Sequence, residues 1–394
     1  MDMEIIKADF VITTPMFLGE AENQVAENVR PPAVKGALRF WWRALQWPLI
    51  RSGRTSDEEA LRELHHQESG LFGHAAEEGK NYGQAKFLLR ITSPNLPSYR
   101  DSEVSNSQEL QYLLGQGLCT RKGELLREHL VAGKSFNLQL ALKSDVTTEQ
   151  KQQLVDALLC FGLLGNLGSR ARKGFGSVSL QTLTVSGEDY PLPQGRADFS
   201  ECVKRLIGTV QETGLPPFSA FSRETRLQIA AAGSESLELL KLHGREMGMY
   251  RGYGNNGRTF NQAAEQNFQD DHDWAYAVSD GKRQTNLPKR AVFGLPHPYF
   301  LSSIKKNVSV DVEGGQGRRA SPLFAHVHQL PDKSYLLVHL VLGSVFLPGG
   351  ATVNVKAKEG ARFELEGGRV DEQIDWSVLD NFLQRFPNRE VIDV

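Results

Sequence analysis

At 394 residues, 40% hydrophobic and 23% charged, the chain is long enough for two domains with sizeable cores, and its composition excludes wholesale disorder. A formal net charge of −2 excludes a uniformly basic coat but not positive charge confined to patches. Cys119, Cys160 and Cys202 lie far apart with no C-x-x-C pair, which argues against a disulfide framework or structural zinc, and no window approaches the roughly eighteen apolar residues of a membrane helix. Residues 1–9 carry no apolar run of the signal-peptide kind, so the expected location is the cytoplasm.

Ile6, Ala8, Phe10 and Ile12 alternate with Lys7, Asp9 and Val11, which predicts a strand with one buried face. Residues 30–43 then read Arg-Pro-Pro-Ala-Val-Lys-Gly-Ala-Leu-Arg-Phe-Trp-Trp-Arg. Pro31 and Pro32 suit the lead-in or first turn of a helix starting near Ala33. At the helical period Val34, Ala37, Leu38, Trp41 and Leu45 share an inward face, while Lys35, Arg39 and Arg43 form a second stripe. No Asp or Glu occurs between Asn28 and Ser56. Three like charges in line repel by roughly 0.2–0.5 kcal/mol per pair. A polyanion along the stripe relieves that repulsion, and Trp42 at its border offers a stacking surface. The plain alternative is a solvated helix face beside a core tryptophan. Charge is segregated: residues 57–80 hold seven acidic side chains against two basic ones.

Phe87, Leu89 and Ile91 predict a second strand, and Phe136, Leu138, Leu140 and Leu142 a third, with a long insertion over 93–134. Thr147 followed by Gln150 makes a capping-box start for a helix carrying Leu154, Leu158 and Phe161 to about Gly165. Residues 166–177, Asn-Leu-Gly-Ser-Arg-Ala-Arg-Lys-Gly-Phe-Gly-Ser, follow it. Gly168, Gly174 and Gly176 free the backbone while Arg170, Arg172 and Lys173 supply positive charge, the composition of a phosphate-binding loop. Its alternative is a tight helix-to-strand connection with surface arginines. Lys173 is followed by Gly174 where a Walker A motif needs Ser or Thr, so nucleotide hydrolysis of that kind is excluded. A fourth strand runs from Val178 to about Val185.

Strand, helix, strand, strand, helix, strand is the split βαβ, ferredoxin-like plan also used by RNA recognition domains. A turn-rich segment over 186–198 reads as a linker, giving domains at 1–190 and 191–394. In the second half Leu227 and Ile229 hint at a strand, and Leu237, Leu240, Gly244 and Met247 mark a helix. Residues 250–260 read as a mobile loop in which Tyr250, Arg251, Tyr253 and Arg258 suit either single-stranded RNA or nothing in particular. Residues 291–295 and 324–330 look extended, 335–342 is apolar on both faces and hence a central strand, and Trp376, Leu379, Leu383 and Phe386 close with an amphipathic helix. The fold class is therefore α+β, with a degenerate second copy of the first domain: two tandem ferredoxin-like (RRM-like, βαββαβ) domains with insertions.

With both motifs in hand the chain resembles a known family. Ile12-Thr13-Thr14-Pro15-Met16-Phe17-Leu18-Gly19 followed by residues 30–43 is similar to the N-terminal signature of RAMP subunits of CRISPR effector complexes, and specifically of the first subunit of the Cmr-type, or type III-B, complex. Residues 168–176 are similar to that family's G-rich loop, and Phe293-Gly294-Leu295-Pro296 and Arg318-Arg319-Ala320-Ser321-Pro322-Leu323 resemble its C-terminal half. The resemblance implies two RAMP domains and a non-catalytic place in an RNA-guided antiviral complex, contacting the guide RNA 3′ region, the target RNA or both beside other RAMP subunits. It marks Arg30, Lys35, Arg39, Trp42 and Arg43, then Gly168, Ser169, Arg170, Arg172 and Lys173, and less directly Arg318 and Arg319, as RNA-facing candidates; Glu313 beside the last two is a local alternative partner for them. No cofactor and no metal are expected.

A metal-independent ribonuclease that processes guide RNA is the enzymatic alternative, since some RAMP proteins use a histidine as general base. His65 and His66 lie in the acidic stretch and read as part of an exposed turn; His326 and His328 share a strand face without a Cys or carboxylate to complete a metal set. Asp270, Asp271 and Asp273 read as a solvated helix segment or interface rather than a two-metal site. A scaffold that touches only protein is the third reading.

Overall fold

The protein is described from a computed structural model, which covers residues 3–19, 28–74, 83–93, 96–100, 102–120, 122–210, 214–313, 317–347, 350–358, 360–366, 370 and 372–394. The elements of the first half are β1 (Ile5–Ile12), α1 (Pro31–Ser52), α2 (Asp57–Phe72), β2 (Phe87–Thr92), β3 (Ser98–Tyr99), α3 (Ser102–Asn106), α4 (Gln108–Leu114), β4 (His129–Leu130), β5 (Ser135–Leu142), α5 (Thr148–Leu164), β6 (Val178–Val185), β7 (Glu188–Asp189) and α6 (Arg196–Ile207). Those of the second are β8 (Arg226–Gly233), α7 (Ser236–Arg251), β9 (Arg258–Thr259), β10 (Gln262–Ala263), α8 (Gln269–Ser279), β11 (His297–Leu301), β12 (Lys306–Val312), β13 (Leu323–Gln329), β14 (Tyr335–Val341), β15 (Thr352–Ala357), β16 (Arg362–Glu366), α9 (Ser377–Leu383) and β17 (Glu390–Val391).

The first sheet has the order β2-β5-β1-β6-β7, and its neighbours are antiparallel. With α1 and α5 in the crossovers this is the ferredoxin-like permutation. The alternation in β1 is the cause: Ile6, Ala8, Phe10 and Ile12 are all fully buried, and Phe10 stacks on Phe136 of β5 with ring centroids 5.2 Å apart. The capping box forms as expected, Thr147 accepting from Gln150 N and the Gln150 side chain accepting from Thr147 N. The helix it starts runs hydrophobic into the core, where Leu154, Leu158 and Phe161 are fully buried.

The second copy is present too. β8, α7, β13, β14, α9 and β17 follow the same element order, and the strands are arranged β13-β14-β8-β17, the same permutation as the first sheet. β14 is an inner strand, as its two apolar faces require. Two insertions, one between α7 and β13 and one between β14 and α9, meet to build a further antiparallel sheet, β11-β12-β15-β16.

Three local expectations are corrected. Residues 291–295 begin not as a strand but within a 3-10 helix over Lys289–Phe293, because the Asp271 carboxylate accepts from the backbone N–H groups of Lys289 and Arg290 at 2.7 and 2.9 Å and so caps a helical turn. Residues 250–260 are not a plain loop. Tyr250 ends α7 with its hydroxyl donating to Val378 O, and a turn at Asn255 leads into the β9–β10 pair. His65 and His66 are exposed on helix α2 rather than in a turn.

Contacts group Met1–Lys241, Phe324–Leu342 and Asn388–Val394 into one compact unit, and Leu242–Leu323 with Gly343–Pro387 into another, a division that does not follow the expected break at 190. The first unit holds both ferredoxin-type sheets; the second holds the inserted sheet with a core of Trp274, Val278, Tyr299, Val308, Val310, Val353 and Val355. Among the described residues no helix is long and apolar enough to cross a membrane.

Candidate nucleic-acid interface

α1 begins as its two prolines dictate, with Pro31 and Pro32 in the first turn and no acidic residue there. Both tryptophans are core. Trp42, expected at the border of the basic stripe, is fully buried; its indole N–H donates to Gln153 Oε1 at 3.1 Å and its ring meets Phe72 edge-on at 5.9 Å. The helical period alone assigned it to the rim because it did not include α2, which covers that side of α1. Trp42 is therefore no platform for a base.

The same helix supplies what the stripe lacked locally. Glu68 of α2, only 4% exposed, accepts from Arg39 Nε at 2.6 Å and from Arg43 Nη1 at 3.4 Å. Lys35 sits 6.0 Å from the Phe87 ring centre, and burial, assisted by the Arg39 charge, holds its ammonium below the usual lysine range. The stripe is thus oriented but only partly neutralised, three cations to one carboxylate, and both guanidinium groups keep over a third of their side-chain surface in solvent.

The glycine loop is partly a structural seam. Gly168 and Gly176 have φ of +87° and +66°, and a Cβ there would lie 2.6 Å from Phe17 O and 2.0 Å from Leu167 O. Arg170 donates from Nε to Leu114 O at 2.6 Å and from Nη2 to Gln116 O at 2.8 Å, closing the C-terminal end of α4. Ser169 pairs through its backbone with Phe17. Past Arg172 the loop runs beside β13, an edge strand of its sheet: Ala325 N donates to Arg172 O, Asn166 Nδ2 to Ala325 O, and Lys173 bridges Ala325 in parallel. Thr13 Oγ1 donates to Val327 O, while Ser177 Oγ and Ser179 Oγ accept from Val327 N and Gln329 N. A sheet edge that would otherwise expose its ladder groups is satisfied by side chains of the first domain.

Arg172 connects the two motifs. Its guanidinium lies 4.3 Å over the Phe324 ring and 5.9 Å from that of Phe40, and it donates to Ser219 Oγ at 3.4 Å. Phe40 follows Arg39 on α1, about 100° around the helix. Between Arg39 and Phe40 lies an exposed strip formed by Pro32, Gly36 and the outer parts of both side chains. Lys35 and Arg39 border that strip on one side, Arg43 continues it one turn on, and Arg172 reaches its other side at Phe40. At the start of the strip exposed Arg30 donates to Gly19 O at 2.6 Å, holding the segment that pairs with Ser169. The glycine loop and the α1 segment are thus linked at two points, Arg172 at Phe40 and Arg30 at the strand that pairs with Ser169, while Trp42 and the Nε and Nη2 donors of Arg170 are committed internally.

Arg318 and Arg319 belong to the second unit. Arg318 is exposed; Arg319 pairs by backbone with Leu295, stacks over Phe346 at 5.5 Å and donates to Ser344 Oγ. Glu313 adjoins residues 314–316, which fall outside the described residues. Tyr253 is stacked on His272 at 3.8 Å.

Among the described residues no three of His, Cys, Asp and Glu gather as a metal set. His326 and His328 are buried, and burial drives both imidazoles toward the neutral form, His328 to about 4. His326 Nδ1 faces Asn166 Oδ1 of the glycine loop at 2.9 Å. Asp271, expected in a solvated segment, is 2% exposed and ion-paired with Arg290 at 3.0 Å.

The fold and the two motifs define the class. Residues 9–179, from within β1 through the glycine loop, match the RAMP superfamily model. Over nearly its whole length the chain is homologous to the CRISPR system Cmr subunit Cmr1-1 of Pyrococcus furiosus, with 24% identity over 383 residues covering 94% of this chain and 91% of that protein. Cmr1-2 of the same organism is 26% identical over 189 residues, 44% of this chain and 94% of that one. Among solved structures, the crystal structure of Cmr1 from Pyrococcus furiosus in its apo form has the same fold at a TM-score of 0.56, 17% identity and 98% coverage of both chains. A chain of the type III-B Cmr-beta complex bound to cognate target RNA matches at a TM-score of 0.52, 10% identity and coverage of 98% and 99%.

Proposed function

We propose that this chain is the Cmr1-type subunit of a type III-B CRISPR ribonucleoprotein and that it binds RNA, the guide 3′ region, the target RNA or both, without cutting it. The observation that carries the reading is the convergence of the basic stripe and Arg172 on one exposed strip of α1, where each cation is held in place by an internal contact. Side chains fixed in this way lose little conformational entropy when a phosphate arrives, and guanidinium groups suit phosphate geometry. Base readout is minor here, since the tryptophan once available for stacking is interior. Homology to a Cmr subunit, and a fold shared with a chain from a complex bound to target RNA, support the assignment to such a complex.

The test is single-stranded RNA binding by the full chain across a salt series, wild type against Arg43→Ala/Arg172→Ala. The expected outcome is weaker binding and a salt slope shallower by about 0.7 for each phosphate contact removed. A folded variant with the wild-type slope would remove the strip from the RNA path. In parallel, repeat-containing RNA incubated with the pure protein in chelator stays intact; discrete cuts, lost on substitution of His65 or His66, would establish the ribonuclease instead.

A further inference from the structure

In the inserted sheet β11-β12-β15-β16, alternate residues face the core and the rest face outward. The cross-strand register places the outward side chains in rows. One row is Phe300 and Asn307, continued by Lys358, whose N–H donates to Asn307 O. The next is Pro298, Ser309, Lys356 and Arg362. Beyond these come Asp311, Asn354 and Glu364, then Thr352 and Glu366. The outer face is therefore polarised: cations occupy the two rows at the β11–β12 turn, where Lys305 adds another, and carboxylates occupy the two rows at the opposite end.

The basic end has two further properties. Phe300 is 51% exposed and Ile304 in the turn 38%, so part of an aromatic ring is accessible beside the cations. Lys305, Lys356, Lys358 and Arg362 are all exposed, and none takes part in the ion pairs formed by the described residues of this unit. With strands about 4.8 Å apart, the ring of Phe300 lies roughly 10 Å across the sheet from Lys358. A ring on which a base can stack, followed by cations at that reach, is the arrangement by which sheets hold single strands.

We propose that this face is a second binding site for single-stranded RNA, with a base stacked on Phe300 and phosphates on Lys356, Lys358 and Arg362. The strand crosses the sheet from β11 toward β16, perpendicular to the β-strands. A path along the β-strands would carry phosphates over Asp311 and Glu364, where like charge opposes it. The site uses residues of the second unit only and does not depend on the α1 strip.

The experiment uses the full chain and a uridine oligonucleotide carrying 4-thiouridine. Photocrosslinking is expected in the peptide spanning β11 and β12 and to disappear in Phe300→Ala. Lys356→Ala/Arg362→Ala is expected to bind more weakly, with a salt slope shallower by about 1.4, two contacts at 0.7 each. Phe300→Ala is expected to lose about fivefold or more in affinity at fixed salt. All three substituted positions are at the surface, and unchanged thermal unfolding serves as the control for folding. Unchanged slope and no crosslink in β11–β12 would overturn the proposal. It would also fall if another subunit of the complex shielded this face while RNA affinity stayed at the wild-type value, which would mark a protein interface. Loss only in Arg43→Ala/Arg172→Ala would leave the α1 strip standing and remove this site; loss only in Lys356→Ala/Arg362→Ala would do the reverse.

Discussion

The two arginine-rich motifs of the first unit differ in what restrains their cations. On α1, Arg39 and Arg43 are held by a carboxylate, Glu68, which fixes their direction and cancels part of their charge. In the glycine loop Arg170 donates to carbonyl oxygens and Arg172 lies over aromatic rings, contacts that fix direction through neutral groups. A surface can thus orient a guanidinium through a carboxylate or through neutral carbonyls and rings. In either case the donors are held ready for a phosphate at close quarters.

The largest effect should come from the residue that belongs to neither surface. Trp42→Ala is expected to cost about 3–5 kcal/mol in chemical denaturation, the range for emptying a buried tryptophan site. A loss near zero, with RNA binding impaired instead, would return Trp42 to the interface and erase the difference in roles between it and the arginines.

Next comes pH, which acts through the buried histidines of β13. Burial holds His328 near 4, below the ordinary value of 6.5, so the unfolded chain binds the proton first as pH falls. Stability from this group is present above about 6.5 and lost on descent toward 4, by roughly 3 kcal/mol in all. The groups packed around it are Phe199, His326 and the α5 backbone near Gly162, none of them an acid that would favour the charged ring. Equilibrium unfolding between these pH values should show a slope at least that steep, since buried His326 adds to it in the same direction, and His328→Gln should reduce it without abolishing it. A wild type with constant stability over the same window would mean that the packing of β13 against α5 and α6 tolerates a charged imidazole.

Arg170→Ala should cost about 2 kcal/mol, because the carbonyls of Leu114 and Gln116 lose charge-assisted donors at a helix end. RNA affinity at moderate salt should change little in the folded protein, since the remaining cations of the strip are in place. A large loss of affinity with unaltered stability would make Arg170 a direct phosphate ligand and the loop a binding device first.

The smallest structural effect and the sharpest contrast should come from Glu68→Gln. Gln retains an acceptor for Arg39 and drops the charge, so stability should fall by about 1 kcal/mol. RNA binding should tighten, with a salt slope steeper by up to about 0.7. If affinity and slope are both unchanged, the α1 stripe does not meet RNA.

Much of the architecture was legible in the sequence because it is decided within a few residues. The alternation in β1, the Thr147–Gln150 capping box, the prolines opening α1 and the apolar run of β14 each depend only on near neighbours and on the period of the element. The two motifs were legible for the same reason, as local concentrations of charge and glycine. What tertiary structure decided was the partner of each side chain. Glu68 lies 29 residues from Arg39, Gln153 lies 111 from Trp42 and Leu114 lies 56 from Arg170. Strand register alone places Lys356 beside Ser309, and no period within either segment encodes that pairing. Local periodicity sets which face a residue occupies on its own element; whether that face meets solvent, a second helix or a carboxylate depends on chain segments whose proximity arises only once the core has closed.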